Sequence, residues 1–148
     1  MKRVLFVGFL KPGKILEGGG MANLRNLEMI RQITGADNVE TVYIHEDKEK
    51  RSWRNLLLSA FWFPMGYFNG VLPSRVKTIV KKAQEYDCVF LSTSLLGMVA
   101  KHLKEAGYEG QVVAHFHNVE SMYYESRVSK RMPLRRIVIR CAWRNDGW

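Results

Sequence analysis

The sequence predicts an α/β protein, a Rossmann-like doubly wound parallel sheet in three α/β/α layers. Three observations carry this. Short apolar runs such as Val4-Leu5-Phe6-Val7 and Cys88-Val89-Phe90-Leu91 do not alternate with polar residues, as strands covered on both faces require. Segments of helical period lie between those runs, and glycines or short polar turns mark the joints. Strands and helices alternating at this spacing imply right-handed crossovers.

The first strand begins at Val4, after Lys2 and Arg3. Gly18, Gly19 and Gly20 follow a loop, and Leu24, Leu27, Ile30 and Ile33 then recur at helical spacing until Gly35 supplies a stop. Val39 to Ile44 reads as the second strand, Cys88 to Leu91 as the third and Gln111 to His115 as the fourth, after the turn at Gly110. Between the last two, Leu95, Leu96, Val99, Ala100 and Leu103 mark an amphipathic helix capped by Ser92, Thr93 or Ser94. A last helix carries Leu134, Ile137, Val138 and Cys141 as one stripe, with Ile139 and Trp143 pointing elsewhere among arginines.

With 148 residues, 47% of them hydrophobic and 25% charged, the chain suits one domain with its own core, and excludes disorder and low-complexity architectures. Cys88 and Cys141 lack metal-ligand spacing and form no disulfide framework; two buried thiols in a reducing cytoplasm are expected. No export signal follows Met1.

The formal charge of +9 is concentrated. Arg127, Lys130, Arg131, Arg135, Arg136, Arg140 and Arg144 fall where no acid stands between Glu125 and Asp146. Such a patch attracts polyanions, with an anionic membrane favoured and nucleic acid not expected; the competing reading is a solvated helix face. The charge-free stretch Asn55 to Ser74 is rich in Leu, Phe and Trp, but Pro64, Gly66, Gly70 and Pro73 break it before it could span a bilayer. It is either a helix and loop packed over the sheet or an interfacial element with Trp53 and Trp62 at head-group level.

Gly8 to Lys14 matches the first seven positions of a phosphate-binding loop after a strand, yet the eighth, which needs Ser or Thr, is Ile15. Gly18-Gly19-Gly20 at a helix start is the better anion site, because unpaired amides and the helix dipole favour phosphate there; a plain flexible turn is the alternative. His115 and His117 occupy alternate positions where the fourth strand ends, at the edge where open α/β sheets bind ligands. No further ligand completes a metal site with them, and His45 and His102 read as structural.

Taken in order, the glycine-rich loop, the Asp87-Cys-Val-Phe-Leu strand and Val112-Val-Ala-His-Phe-His117-Asn118-Val-Glu120 resemble the N-terminal domain of a GT-B fold glycosyltransferase, family 4 or group 1 type, over essentially the whole chain. The resemblance implies the acceptor-side lobe of a retaining enzyme that moves a sugar from a nucleotide-sugar donor to a glycan or lipid-linked acceptor, as in polysaccharide biosynthesis, without metal or other cofactor. It implies that Gly19 and Gly20, in a substrate-binding loop with Gly18, lie beside the donor diphosphate and help frame the acceptor, that His117 approaches the transferred sugar, and that Asn118 and Glu120 shape the acceptor pocket. The family's donor-binding C-terminal domain has no counterpart in residues 1–148, so a lobe inactive alone, completed by a further domain or partner chain, is expected at the cytoplasmic face of a membrane. The rival is a non-catalytic module for a membrane surface or other anion; a phosphate-loop hydrolase stands a distant third.

Overall fold

The computed structural model describes residues 2–11, 18–45, 61–67, 71–117, 119–128, 130 and 135–147. Four strands, β1 (Val4–Leu10), β2 (Val39–His45), β3 (Cys88–Leu91) and β4 (Gln111–Ala114), form one sheet in the order β2-β1-β3-β4. Every pairing is parallel, with Val4 opposite both Val39 and Cys88, and Cys88 opposite Gln111. Because strand side chains alternate, Leu5, Val7, Val89 and Leu91 bury one face while Val4, Phe6 and Val39 bury the other.

Helix α1 (Gly18–Thr34) covers the second face through Leu27. Helices α2 (Pro73–Ala83) and α3 (Gly97–Glu105) cover the first through Val76, Ile79, Ala83, Met98, Val99 and Leu103. These layers make the three-layer, doubly wound arrangement expected from sequence. Each fully buried Leu or Ile contributes about 1.5–3 kcal/mol of transfer free energy. The chain steps from β1 to β2 in one direction and then crosses β1 to reach β3. The switch point therefore lies between the carboxyl ends of β1 and β3, where a ligand crevice opens in folds of this kind.

Several expectations need correction. Ile33 is 77% exposed: residues three apart on a helix drift by roughly 60° per step, so Ile33 lies half a turn from Leu24. Cys88 is half-buried, because α1 packs on β1 and β2 and leaves β3 less covered on that face. The fourth strand ends at Ala114, although the His115 amide still donates to the Leu91 carbonyl at 2.9 Å. A single 3-10 turn, Ser94–Leu96, precedes α3, and of the three candidate caps Thr93 serves, its Oγ1 accepting from the Leu95 amide at 3.4 Å.

Among the described residues, two helices follow β4: α4 (Glu120–Arg127) and α5 (Arg135–Asp146). The buried stripe of α5 is Cys141, Ala142 and Asn145, with Val138 packed beside Cys141; Ile137 is half-buried and Leu134 lies outside the described residues. In the aromatic stretch, Phe63–Met65 forms a 3-10 turn. Tyr67 is buried and Trp62 packs on the core, while Phe61 and Met65 are exposed. Residues 46–60, which include Trp53, are outside the described residues. Among the described residues no helix is long and apolar enough to cross a membrane.

Candidate ligand crevice at the carboxyl edge of the sheet

Beyond β4 the chain turns so that His115 and His117 meet edge to face, ring centroids 4.5 Å apart. His117 Nε2 lies 2.9 Å from Asn23 Oδ1 on α1. An amide oxygen only accepts, so with Oδ1 facing the ring Nε2 carries the proton. This hydrogen bond ties the end of β4 to the first turns of α1, which open with Gly18, Gly19 and Gly20. The first amides of a helix have no intrahelical acceptor, and the dipole adds a partial positive charge there. A histidine and an anion-favouring helix terminus thus stand at the same edge of the sheet.

Burial lowers the His117 pKa below the ordinary imidazole value, and the neighbouring His115 lowers it further; a hydrogen bond with the Ser92 backbone opposes them in part. The ring is therefore neutral near pH 7. With the one proton of the neutral ring given to Asn23, the other nitrogen is left as an acceptor for a ligand hydroxyl, which an imidazolium, a donor only, does not offer.

At the switch point, Ser92, Thr93 and Ser94 are buried. The Ser92 amide donates to the Val7 carbonyl at 3.0 Å, and Ser92 Oγ accepts from the Phe9 amide at 3.3 Å, which fixes the exits of β1 and β3 together. Helix α5 roofs this point: Cys141 packs on Leu95 with Phe9, Phe63, Tyr124 and Val138 around them. Its last residues cap two other helices. Asn145 Oδ1 accepts from the Met98 amide of α3 at 3.2 Å, and Asp146 Oδ2 accepts from the Ser121 amide of α4 at 2.8 Å. With that side closed, the candidate site is the side where His117 meets α1.

Other candidates fare differently. Gly8 sits inside β1, which continues to Leu10 before the Lys11 amide bonds the His45 carbonyl. A phosphate loop would need that glycine at the strand exit; here the Tyr43 ring lies where its Cβ would be, 2.4 Å away. Among the described residues no group of three or more His, Cys, Asp or Glu could hold a metal. Asn118 and Arg131 lie outside the described residues, and Glu120 heads α4. The arginine cluster is divided: Arg135 donates to the Glu125 and Val128 carbonyls, Arg127 lies over the Tyr123 ring and Arg144 donates to the Pro64 carbonyl, while Lys130, Arg136 and Arg140 are exposed. His102 bonds Tyr67 at 2.7 Å, as a structural histidine should.

Sequence reasoning missed Asn23, Asn145 and Asp146. Asn23 stands three residues past the glycine triplet on a helix, where an asparagine is otherwise disfavoured, and that was a usable signal. A polar groove of 680 Å³ lined by Tyr86, Asp87 and Gly107 to Gln111 opens at the opposite, amino edge, away from the strand exits. No protein family, curated protein or solved structure matches the chain.

Proposed function

We propose that the protein is the acceptor-binding lobe of a retaining, GT-B type glycosyltransferase that works with a donor-binding domain or partner chain at the cytoplasmic face of a membrane. The observation that carries this is the bond from His117 to Asn23, which joins a neutral histidine to the glycine-led start of α1 at the carboxyl edge. In this reading the amides of Gly18 to Gly20 face the donor diphosphate and offset the charge that grows on it as the glycosidic bond breaks. With its one proton held by Asn23, His117 accepts from a hydroxyl of the transferred sugar through its other ring nitrogen, and its fixed ring orients that sugar. The acceptor, a glycan or lipid-linked sugar, enters beside the start of α4 at Glu120.

Transfer assayed with the donor-binding partner supplied tests the reading. His117→Ala should lower the rate at least about 100-fold, the usual scale for a lost transition-state hydrogen bond, while melting stays close to wild type. Undiminished transfer per folded molecule contradicts the role of His117. A non-catalytic module would show neither transfer nor any effect of sugars on Asn23 and His117.

A further inference from the structure

The outward face of α5 carries residues that its packing does not explain. Val138, Cys141, Ala142 and Asn145 turn inward, and at roughly 100° per residue the opposite line of the helix runs through Arg136, Arg140 and Trp143, with Ile139 beside them. Trp143 is 71% exposed. A helix face meant only for water gains nothing from an indole, whose burial is among the largest apolar contributions a side chain can make.

A distant part of the chain brings further exposed apolar residues alongside the helix. Arg144 donates to the Pro64 carbonyl and Asn145 Nδ2 to the Gly66 carbonyl, which sets the Phe63–Met65 turn alongside α5. Met65 and Phe61 are 51% and 68% exposed there. Ile139, Arg140, Trp143 and Arg144 line a shallow depression of 310 Å³. No acid occurs between Glu125 and Asp146, and the Asp146 carboxylate is turned inward onto the Ser121 amide.

We propose that this surface docks on an anionic lipid bilayer, with Trp143, Phe61 and Met65 entering the head-group region and Arg136 and Arg140 pairing with lipid phosphates. An apolar centre with a cationic rim matches an interface where hydrocarbon lies beneath negative charge. A nucleic acid would meet the cations but leave Met65 and Ile139 without a partner. The docking surface adjoins the crevice, because the same helix ends by capping α3 and α4 at the carboxyl edge. Docking deepens the membrane placement proposed above, while the sugar-transfer role of His117 can fail or hold independently of it.

Co-sedimentation of the protein with vesicles of phosphatidylcholine containing phosphatidylglycerol, against phosphatidylcholine alone, is the test. Binding is expected only to the anionic vesicles and should weaken with salt. Arg136→Glu with Arg140→Glu should reduce it at least about twentyfold, since each surface cation contributes about fivefold. Trp143→Ser should weaken binding and leave its salt dependence in place, while Lys77→Glu with Lys81→Glu on α2 should change nothing. Thermal melts of each variant separate lost docking from lost folding. Equal binding to neutral vesicles, equal loss from the α2 pair, or full binding by the arginine pair variant overturns the proposal. So does a lipid-free dimer that Trp143→Ser dissolves, which would assign the face to a second copy of the chain.

Discussion

Replacing Asn145 with alanine probes the roof over the switch point. The side chain is 1% exposed; it accepts from the Met98 amide at 3.2 Å and donates to the Gly66 and Cys141 carbonyls at 2.7 and 2.8 Å, with a long contact to Cys141 Sγ at 3.9 Å. The Cys141 carbonyl lies four residues back in the same helix and keeps its backbone partner. The Met98 amide and Gly66 carbonyl are left without one, and each buried orphan costs about 1–3 kcal/mol, so a loss of about 3 kcal/mol is expected. Water cannot enter readily, because the Asn145 backbone already lies 2.5 Å from where a Cβ on Gly97 would stand. For a chain of this length the melting temperature should fall by roughly 6–12 °C, read by circular dichroism. Asn145→Asp keeps the acceptor for Met98 and loses the donor to Gly66, so it should also destabilise. A fall of less than about 2 °C for the alanine variant would refute the claim that Asn145 pins α5, α3 and the Phe63–Met65 turn together.

Two further predictions concern titration and thiol reactivity. His117 has a lowered pKa in the folded state, so between that value and the unfolded pKa near 6.5 the unfolded chain binds more protons; stability should fall as the pH drops through this window. Urea melts should show wild type losing more stability on acidification than His117→Gln, and identical slopes would contradict this. Burial pushes the Cys141 thiol up to about 12 and raises Cys88 less severely, in line with the half-buried position of Cys88. A maleimide should label Cys88 in the native protein and reach Cys141 only as the protein unfolds; rapid native labelling at Cys141 would mean that α5 is not seated.

The strands were legible because parallel strands covered on both faces leave unbroken apolar runs, as at Val4 to Val7 and Cys88 to Leu91. Gly35, with a φ of 89°, marked the end of α1 for the reason glycine usually does. Helix α2 went unread although Pro73, Val76, Ile79 and Ala83 give it a start and a stripe, because the charge-free apolar stretch runs on to Ser74 and overlaps its first turn. The two histidines were placed at the strand exit from spacing alone, and the structure brings them together. Asn23 stood out as an asparagine inside a helix, but its pairing with His117 and the caps from Asn145 and Asp146 were not legible: residues 94 positions apart, as Asn23 and His117 are, meet only through the fold. Charge counting likewise could not tell Arg135, held by two carbonyls, from Arg136, which is exposed.

The central claim, that the edge between the start of α1 and His117 is the ligand crevice, is tested most directly by amide and imidazole NMR during titration with nucleotide diphosphate sugars and a glycan acceptor. The amides of Gly18 to Gly20 and Asn23 should move together with the His117 ring. A few hydrogen bonds of about 1–3 kcal/mol each set against an association cost of roughly 4–15 kcal/mol should place half-saturation no tighter than about millimolar. Shifts confined to Gly107 through Gln111 at the amino edge, or no shifts at the glycines and His117 at saturating ligand, would contradict the account.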